Sequence, residues 1–248
     1  MFFKVLFGAM IPLLGTVCGA LIAFVSLKRI TSRVTAVLSG FASGVMVAAS
    51  VWSLLLPAIE FSSADGCGFI QPCMGLSAGL ILMLLSEGIF RKQFLDYSKE
   101  KLLYFAVTLH NLPEGMAIGA AYSAYVCTGD ESLALCALVL SCGIAIQNIP
   151  EGAIVTLPYN SNFSRLKRFV YGVISGVIEP LAVLLTVVLS DFLVPILPFM
   201  LSFAAGAMIF VVLKELIPDF SDEKIFRTGI TSFFIGFMLM MSLDVALG

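Results

Sequence analysis

Apolar residues occur along this chain in long unbroken blocks rather than in alternation, and the ionic residues gather between the blocks. A helix needs about 20 mostly apolar residues to cross a bilayer. Eight stretches meet that length, at roughly 5–27, 34–59, 73–90, 102–126, 133–158, 169–190, 194–217 and 228–247. Strands are excluded, because open sheet edges cannot face hydrocarbon and the blocks are too long for barrel strands. The predicted fold class is an all-α integral membrane protein of eight transmembrane helices, with residues 1–248 forming a single transmembrane domain.

Composition sharpens that reading. Hydrophobic residues make up 60% of the 248 positions and charged residues only 12%, about half the usual globular share. So few charges cannot cover the surface of a soluble domain of this size. A soluble enzyme and a secreted disulfide scaffold are excluded. With 14 Lys+Arg against 16 Asp+Glu there is no basic excess for nucleic acid. The expected location is the cell membrane, which is the cytoplasmic membrane in a bacterium. No cleavable signal is expected, since Lys4 is the lone early positive charge and no small-residue cleavage site follows.

Positive charge sets the orientation. The first connection carries Lys28, Arg29 and Arg33, and the third Arg91, Lys92, Lys99 and Lys101. The fifth carries Arg165, Lys167 and Arg168, and the seventh Lys224 and Arg227. The even connections hold acids instead: Glu60 and Asp65, Asp130 and Glu131, then Asp191. The alternation predicts both termini outside.

Cysteine chemistry is a minor theme. Cys18, Cys136 and Cys142 lie in apolar runs, where they read as buried small hydrophobes. Cys67 and Cys73 share a loop, and a disulfide between them requires that loop to face an oxidising compartment. No C-x-x-C pair marks a zinc site.

Two internal similarities organise the chain. His110-Asn111-Leu112-Pro113-Glu114-Gly115 in span four recurs as Gln147-Asn148-Ile149-Pro150-Glu151-Gly152 in span five. The two spans run in opposite directions, so the motifs meet inverted. Phe41-Ala42-Ser43-Gly44-Val45-Met46 in span two resembles Phe203-Ala204-Ala205-Gly206-Ala207-Met208 in span seven, each followed by a proline, Pro57 and Pro218. A 3+2+3 inverted-repeat arrangement follows, a pattern common among transporters.

Charges deep in a bilayer are costly and usually functional. Glu114, Glu151 and Glu179 lie well inside spans. Residues four apart share a helix face, which sets His110 one turn from Glu114 and Gln147 one turn from Glu151. Each motif proline also leaves a carbonyl without its helical donor and kinks the helix. Three acids in low dielectric require a cation or protons, and an imidazole among carboxylates suits zinc, iron, manganese or related first-row ions. The expected metal ligands are His110, Glu114, Gln147 and Glu151, with Asn111, Asn148 and Glu179 forming an adjoining all-oxygen position that shares both motif glutamates. The Met-rich stretch around Met238, Met240 and Met241 reads as packing or lipid-facing, and Trp52 as an anchor or packing residue.

At these residues the chain resembles the ZIP family of divalent metal-ion transporters, especially its bacterial GufA-like branch. The resemblance covers essentially the whole chain. Besides the tandem motif it takes in Trp52-Ser53-Leu54-Leu55-Leu56-Pro57-Ala58-Ile59-Glu60, Glu179-Pro180 and Lys214-Glu215-Leu216-Ile217-Pro218. It implies import of zinc or a similar ion (Cd, Fe, Mn or Co) toward the cytoplasm through a binuclear site between spans four and five. It also implies Glu179 as a ligand, a homodimer, and an elevator-like movement of the helices that carry the site. The same resemblance implies Ser53, Glu60 and Asp244 on the outer path, with Glu87 and Glu215 on the inner one. Two departures stand out. Gln147 takes the place where many relatives have histidine, and the connection from Arg91 to Lys101 lacks the long histidine-rich loop frequent in the family.

Two other readings use the same ligands: a metal-selective channel, and an intramembrane metalloenzyme in which the metal activates water. The enzyme lacks an evident base outside the ligand set. No phosphate-cradling Gly-rich Lys-Ser/Thr loop supports an ATP-driven pump. Metal ions and the lipid bilayer are the expected partners, and no resident cofactor is expected.

Overall fold

The computed structural model describes residues 1–25, 31–62, 68–93, 99–156 and 164–247. Among them there are helices and turns but no strands. The long helices are α1 (Phe2–Val25), α2 (Ser32–Ala49), α4 (Ile70–Gln93), α5 (Lys99–Thr128), α6 (Glu131–Thr156), α7 (Arg165–Val188), α9 (Leu197–Val211) and α10 (Glu223–Leu247), with short α3 (Leu56–Ser62) and α8 (Ser190–Leu193) between them. Each of the eight expected stretches overlaps one of these rods, the second running on from α2 through Ser50–Leu55 into α3 and the seventh from α9 through Val212–Leu216.

Seven helical stretches of the described residues are long and apolar enough to cross a membrane. Helix α5 is not one of the seven, although its 30 residues reach about 45 Å at 1.5 Å per residue. Its composition is the reason: Lys99, Glu100, Lys101, His110, Asn111 and Glu114 dilute its apolar character.

The helix starts follow ordinary capping logic. Thr31 caps α2, accepting from the Val34 N–H at 3.4 Å, and Ser164 caps α7, accepting from the Lys167 N–H at 3.3 Å. Asp130 caps α6, its Oδ1 accepting from both the N–H and the hydroxyl of Ser132, at 2.9 and 2.8 Å. Those bonds hold the Asp130 carboxyl below its usual range.

Pro12, Pro113, Pro150 and Pro180 all lie inside helices that continue through them. In a membrane such prolines are tolerated where neighbouring groups can satisfy the carbonyls they free. Pro57 and Pro218 behave differently. Each follows a stretch of wider π-helix, Ser50–Leu55 after α2 and Val212–Leu216 after α9, which accommodates a ring that would otherwise strike the preceding turn.

Glycines set which rods pair. Helix α2 lies against α10, where a Cβ on Gly44 would come within 2.0 Å of the Phe233 carbonyl oxygen, and α4 lies against α9, where one on Gly79 would meet the Phe203 oxygen at 2.2 Å. Helix α1 packs on α6 through Gly15 and Gly19, and α5 packs on α7 through Gly115 and Gly119. Such backbone-to-backbone approach is how apolar helices associate in lipid, where no hydrophobic drive separates them from the solvent. One buried cluster unites Val45, Met46, Ala204, Met208 and Val211, and another unites Val5, Ala9, Ile118, Tyr122 and Val183. Large apolar side chains such as Phe3, Val188 and Phe192 point outward, as expected of a lipid-facing perimeter.

The cysteine reading needs correction. Cys18, Cys136 and Cys142 are exposed rather than buried. Cys136 opens on a cavity between helices, and the apolar runs leave Cys18 and Cys142 uncovered as well, so the protein core does not enclose the thiols. Cys67 lies outside the described residues. Met240 is buried, Met238 faces outward, and Trp52 meets Phe237 edge-on at 5.7 Å.

Candidate metal site

Helices α5, α6 and α7 bring the motif residues together in the interior. Asn111, Glu114, Gln147, Asn148, Glu151 and Glu179 are all at most 4% exposed. Gln147 Nε2 donates to Glu114 Oε1, joining α6 to α5. Asn148 Nδ2 lies 2.8 Å from both carboxyl oxygens of Glu179, joining α6 to α7. Glu179 is also in hydrogen-bonding contact with Glu114, and Glu151 is close enough to act on it electrostatically. Two carboxyl groups in contact away from water hold a proton or a cation between them.

The two motif asparagines are anchored alike on backbone carbonyls. Asn111 Nδ2 donates to the Ser175 oxygen of α7 at 3.0 Å, and Asn148 Nδ2 donates to the Pro12 oxygen of α1 at 3.3 Å. The glycine after each glutamate makes this possible. A Cβ on Gly115 would sit 2.4 Å from the Glu179 carbonyl oxygen, and one on Gly152 would sit 2.2 Å from that of Thr16. These anchors escaped sequence reasoning, because nothing in a sequence marks which backbone carbonyl a side chain will find.

With their N–H groups so committed, the amides present their oxygens. Asn111 Oδ1, Gln147 Oε1 and Asn148 Oδ1 are buried and have no hydrogen-bond partner. Among the described residues, no three His, Cys, Asp or Glu side chains lie close enough together to hold an ion. An ion held in this arrangement would have to draw on the amide oxygens as well as the carboxylates. The His110 side chain lies outside the described residues.

The outer set of expected residues shares one cavity of about 490 Å³, lined by Trp52, Ser53, Glu60, Ala117, Cys136 and Asp244 among others. Ser53 Oγ donates to Asp244 Oδ1 at 2.7 Å. Ala117 stands one helical turn from Glu114, so the cavity reaches toward the central acids. On the inner set, Glu215 is buried, and Glu87 accepts from Lys214 Nζ at 2.5 Å. Sequence reasoning did not foresee that lysine beside Glu87.

Comparison with known proteins places the chain. The family model described as ZIP Zinc transporter matches residues 99–244. The zinc transporter ZIPB of Bordetella bronchiseptica is 35% identical over 250 residues, covering 94% of this chain and 78% of that protein. This chain belongs to the ZIP family. The human zinc transporter ZIP11 is 30% identical, with 84% of this chain and 87% of ZIP11 covered. GufA of Myxococcus xanthus, also named a zinc transporter, is 28% identical over 79% of this chain and 81% of its own. As a ZIP family member with several apolar helices, the chain is a multi-pass membrane protein.

Proposed function

We propose that this ZIP family chain carries divalent transition-metal ions, zinc first among them, across the membrane into the cytoplasm. The cargo sits at two neighbouring positions between α5 and α6. His110, Glu114, Gln147 and Glu151 make one; Asn111, Asn148 and Glu179 with the two shared glutamates make the other. The observation that carries this reading is the row of buried amide oxygens without partners, on Asn111, Gln147 and Asn148, beside buried carboxyls. Leaving a buried acceptor unsatisfied costs about 1–3 kcal/mol, and a cation among them offsets that cost. The names of the relatives point to the same cargo.

In this reading α5 is the fourth of eight spans, the arrangement is 3+2+3 and both termini are outside. The helix pairing supports the inversion. Exchanging the first three spans for the last three, and α5 for α6, turns the α2–α10 pair into α9–α4 and the α1–α6 pair into α7–α5, and all four pairs occur. Helices α1, α5, α6 and α7, which carry the central donors and their backbone anchors, then form a unit that exposes the site alternately to each side, as an elevator. Proton exchange through Glu114 and Glu151 is compatible with that cycle.

The test is zinc uptake into proteoliposomes. Glu114→Ala and Glu151→Ala are each expected to abolish uptake while the protein still inserts in the membrane. Wild-type uptake by both variants would overturn the site assignment. Saturating flux separates a carrier from a channel with the same ligands.

A further inference from the structure

Away from the central site, the two π segments create a matched pair of contacts. Ser53 and Lys214 each stand four residues before a proline, Pro57 and Pro218, and so at the carbonyl that the missing proline N–H would have served. Each lies inside its π segment, and each side chain reaches an acid on the paired rod. Ser53 donates to Asp244 of α10, and Lys214 donates to Glu87 of α4. The contacts thus occupy corresponding places in the α2–α10 and α9–α4 pairs, one toward each end of the molecule.

Their chemistry differs. At the outer contact the partner is a neutral hydroxyl, and Asp244 Oδ2 is buried with no hydrogen-bond partner, on a cavity that also holds Glu60. At the inner contact a fixed ammonium covers the acid. The Glu87 side chain is 21% exposed and that of Lys214 44%. Glu215 next along the chain is buried and engaged in an interaction of its own.

We propose that Lys214 is a tethered cation that occupies Glu87 on the inner path, so that an ion leaving the central site is not captured there. This rests on the inward-transport reading above. A bare carboxylate on the exit route would hold a departing divalent ion and let internal metal rebind. A covalently attached ammonium competes at high effective concentration. The ammonium leaves the equilibrium distribution of the cargo unchanged. It lowers occupancy on the inner side, and with it inhibition by metal already delivered. The outer contact, with no such cation, leaves Asp244 available to arriving ions.

The experiment measures uptake of isotopically labelled zinc into proteoliposomes preloaded with increasing unlabelled zinc. In Lys214→Gln the internal concentration that halves uptake is expected to fall roughly fivefold, the scale of one partly exposed ion pair. Lys214→Arg keeps the wild-type value, and the double change Lys214→Gln/Glu87→Gln restores it. Lys4→Gln, which removes a lysine paired to Glu131 elsewhere, leaves it unmoved. Wild-type internal inhibition in Lys214→Gln, or heightened sensitivity persisting in the double variant, overturns the proposal. Should Lys214→Gln fail to reach the membrane, Glu87→Asp draws the carboxylate off the ammonium and must lower the same threshold. Absence of zinc uptake by the wild-type protein would instead refute the transport reading itself.

Discussion

Replacing Gly115 by alanine tests how tightly the donor set depends on helix spacing. The new Cβ would lie 2.4 Å from the Glu179 carbonyl oxygen, while ordinary contact begins at 3.4 Å, a shortfall of 3.4 − 2.4 = 1.0 Å. The obstacle is backbone, so no side chain can rotate away, and α5 must separate from α7 by roughly that distance. Overpacking of this kind costs about 1–3 kcal/mol. The effect on the site is larger, because metal–ligand distances tolerate only about ±0.2 Å. Glu179 would be drawn from Glu114 and Asn148 together, and zinc affinity is expected to fall about tenfold or more, the penalty for a supporting shell about 1 Å too loose. Gly152→Ala, with its 2.2 Å approach to the Thr16 oxygen, should behave alike. Gly88→Ala is the control, since nothing among the described residues lies within 4 Å of its added Cβ. Calorimetric zinc titration of the purified protein, with uptake rates, reads the outcome. Wild-type affinity in Gly115→Ala, or an equal loss in Gly88→Ala, would refute the reasoning.

Two further outcomes are expected. Gln147→His should tighten zinc binding several-fold in the same titration, by exchanging a neutral amide for an imidazole; weaker or unchanged binding counts against Gln147 as a ligand. In a chain whose other cysteines are replaced, Cys136 should react with a membrane-impermeant maleimide added outside, because it lines the outer cavity; labelling from the cytoplasmic side alone would reverse the proposed orientation.

The rods were legible because lipid imposes a length on every crossing segment, and short connectors leave little freedom for the ends. The burial of the central acids and amides was expected for a related reason: an acid in a span is rare, and here there are three, two of them in a repeated Asn-x-Pro-Glu-Gly. What escaped was tertiary. Periodicity could not tell whether Cys18 and Cys142 turn toward the protein or outward, since both surroundings are apolar. Pro57 and Pro218 stood out as a matched pair after the two similar stretches, but nothing in the sequence marks the π segments before them. The stretch Lys214-Glu215-Leu216-Ile217-Pro218 stood out in the sequence, but nothing there shows that Lys214 reaches Glu87 on another helix. The carbonyls of Pro12 and Ser175, which orient both asparagines, carry no side-chain signal at all.

In the transport cycle proposed above, the mixture of acids and amides at the centre would also govern how the membrane potential acts on the cargo. Glu114, Glu151 and Glu179 supply three negative charges when ionised, and Asn111, Gln147 and Asn148 supply none. With one divalent ion and one proton in the proposed site the sum is −3 + 2 + 1 = 0, and with an ion at each of the two positions it is −3 + 4 = +1. Moving an uncompensated elementary charge through 100 mV is worth about 2.3 kcal/mol, so further acids in place of those amides would tie every translocation to voltage. In the proposed cycle the amides keep the loaded unit near neutrality, so the potential would act mainly on the return of the emptied, acidic unit, where the charge of each delivered ion is accounted for.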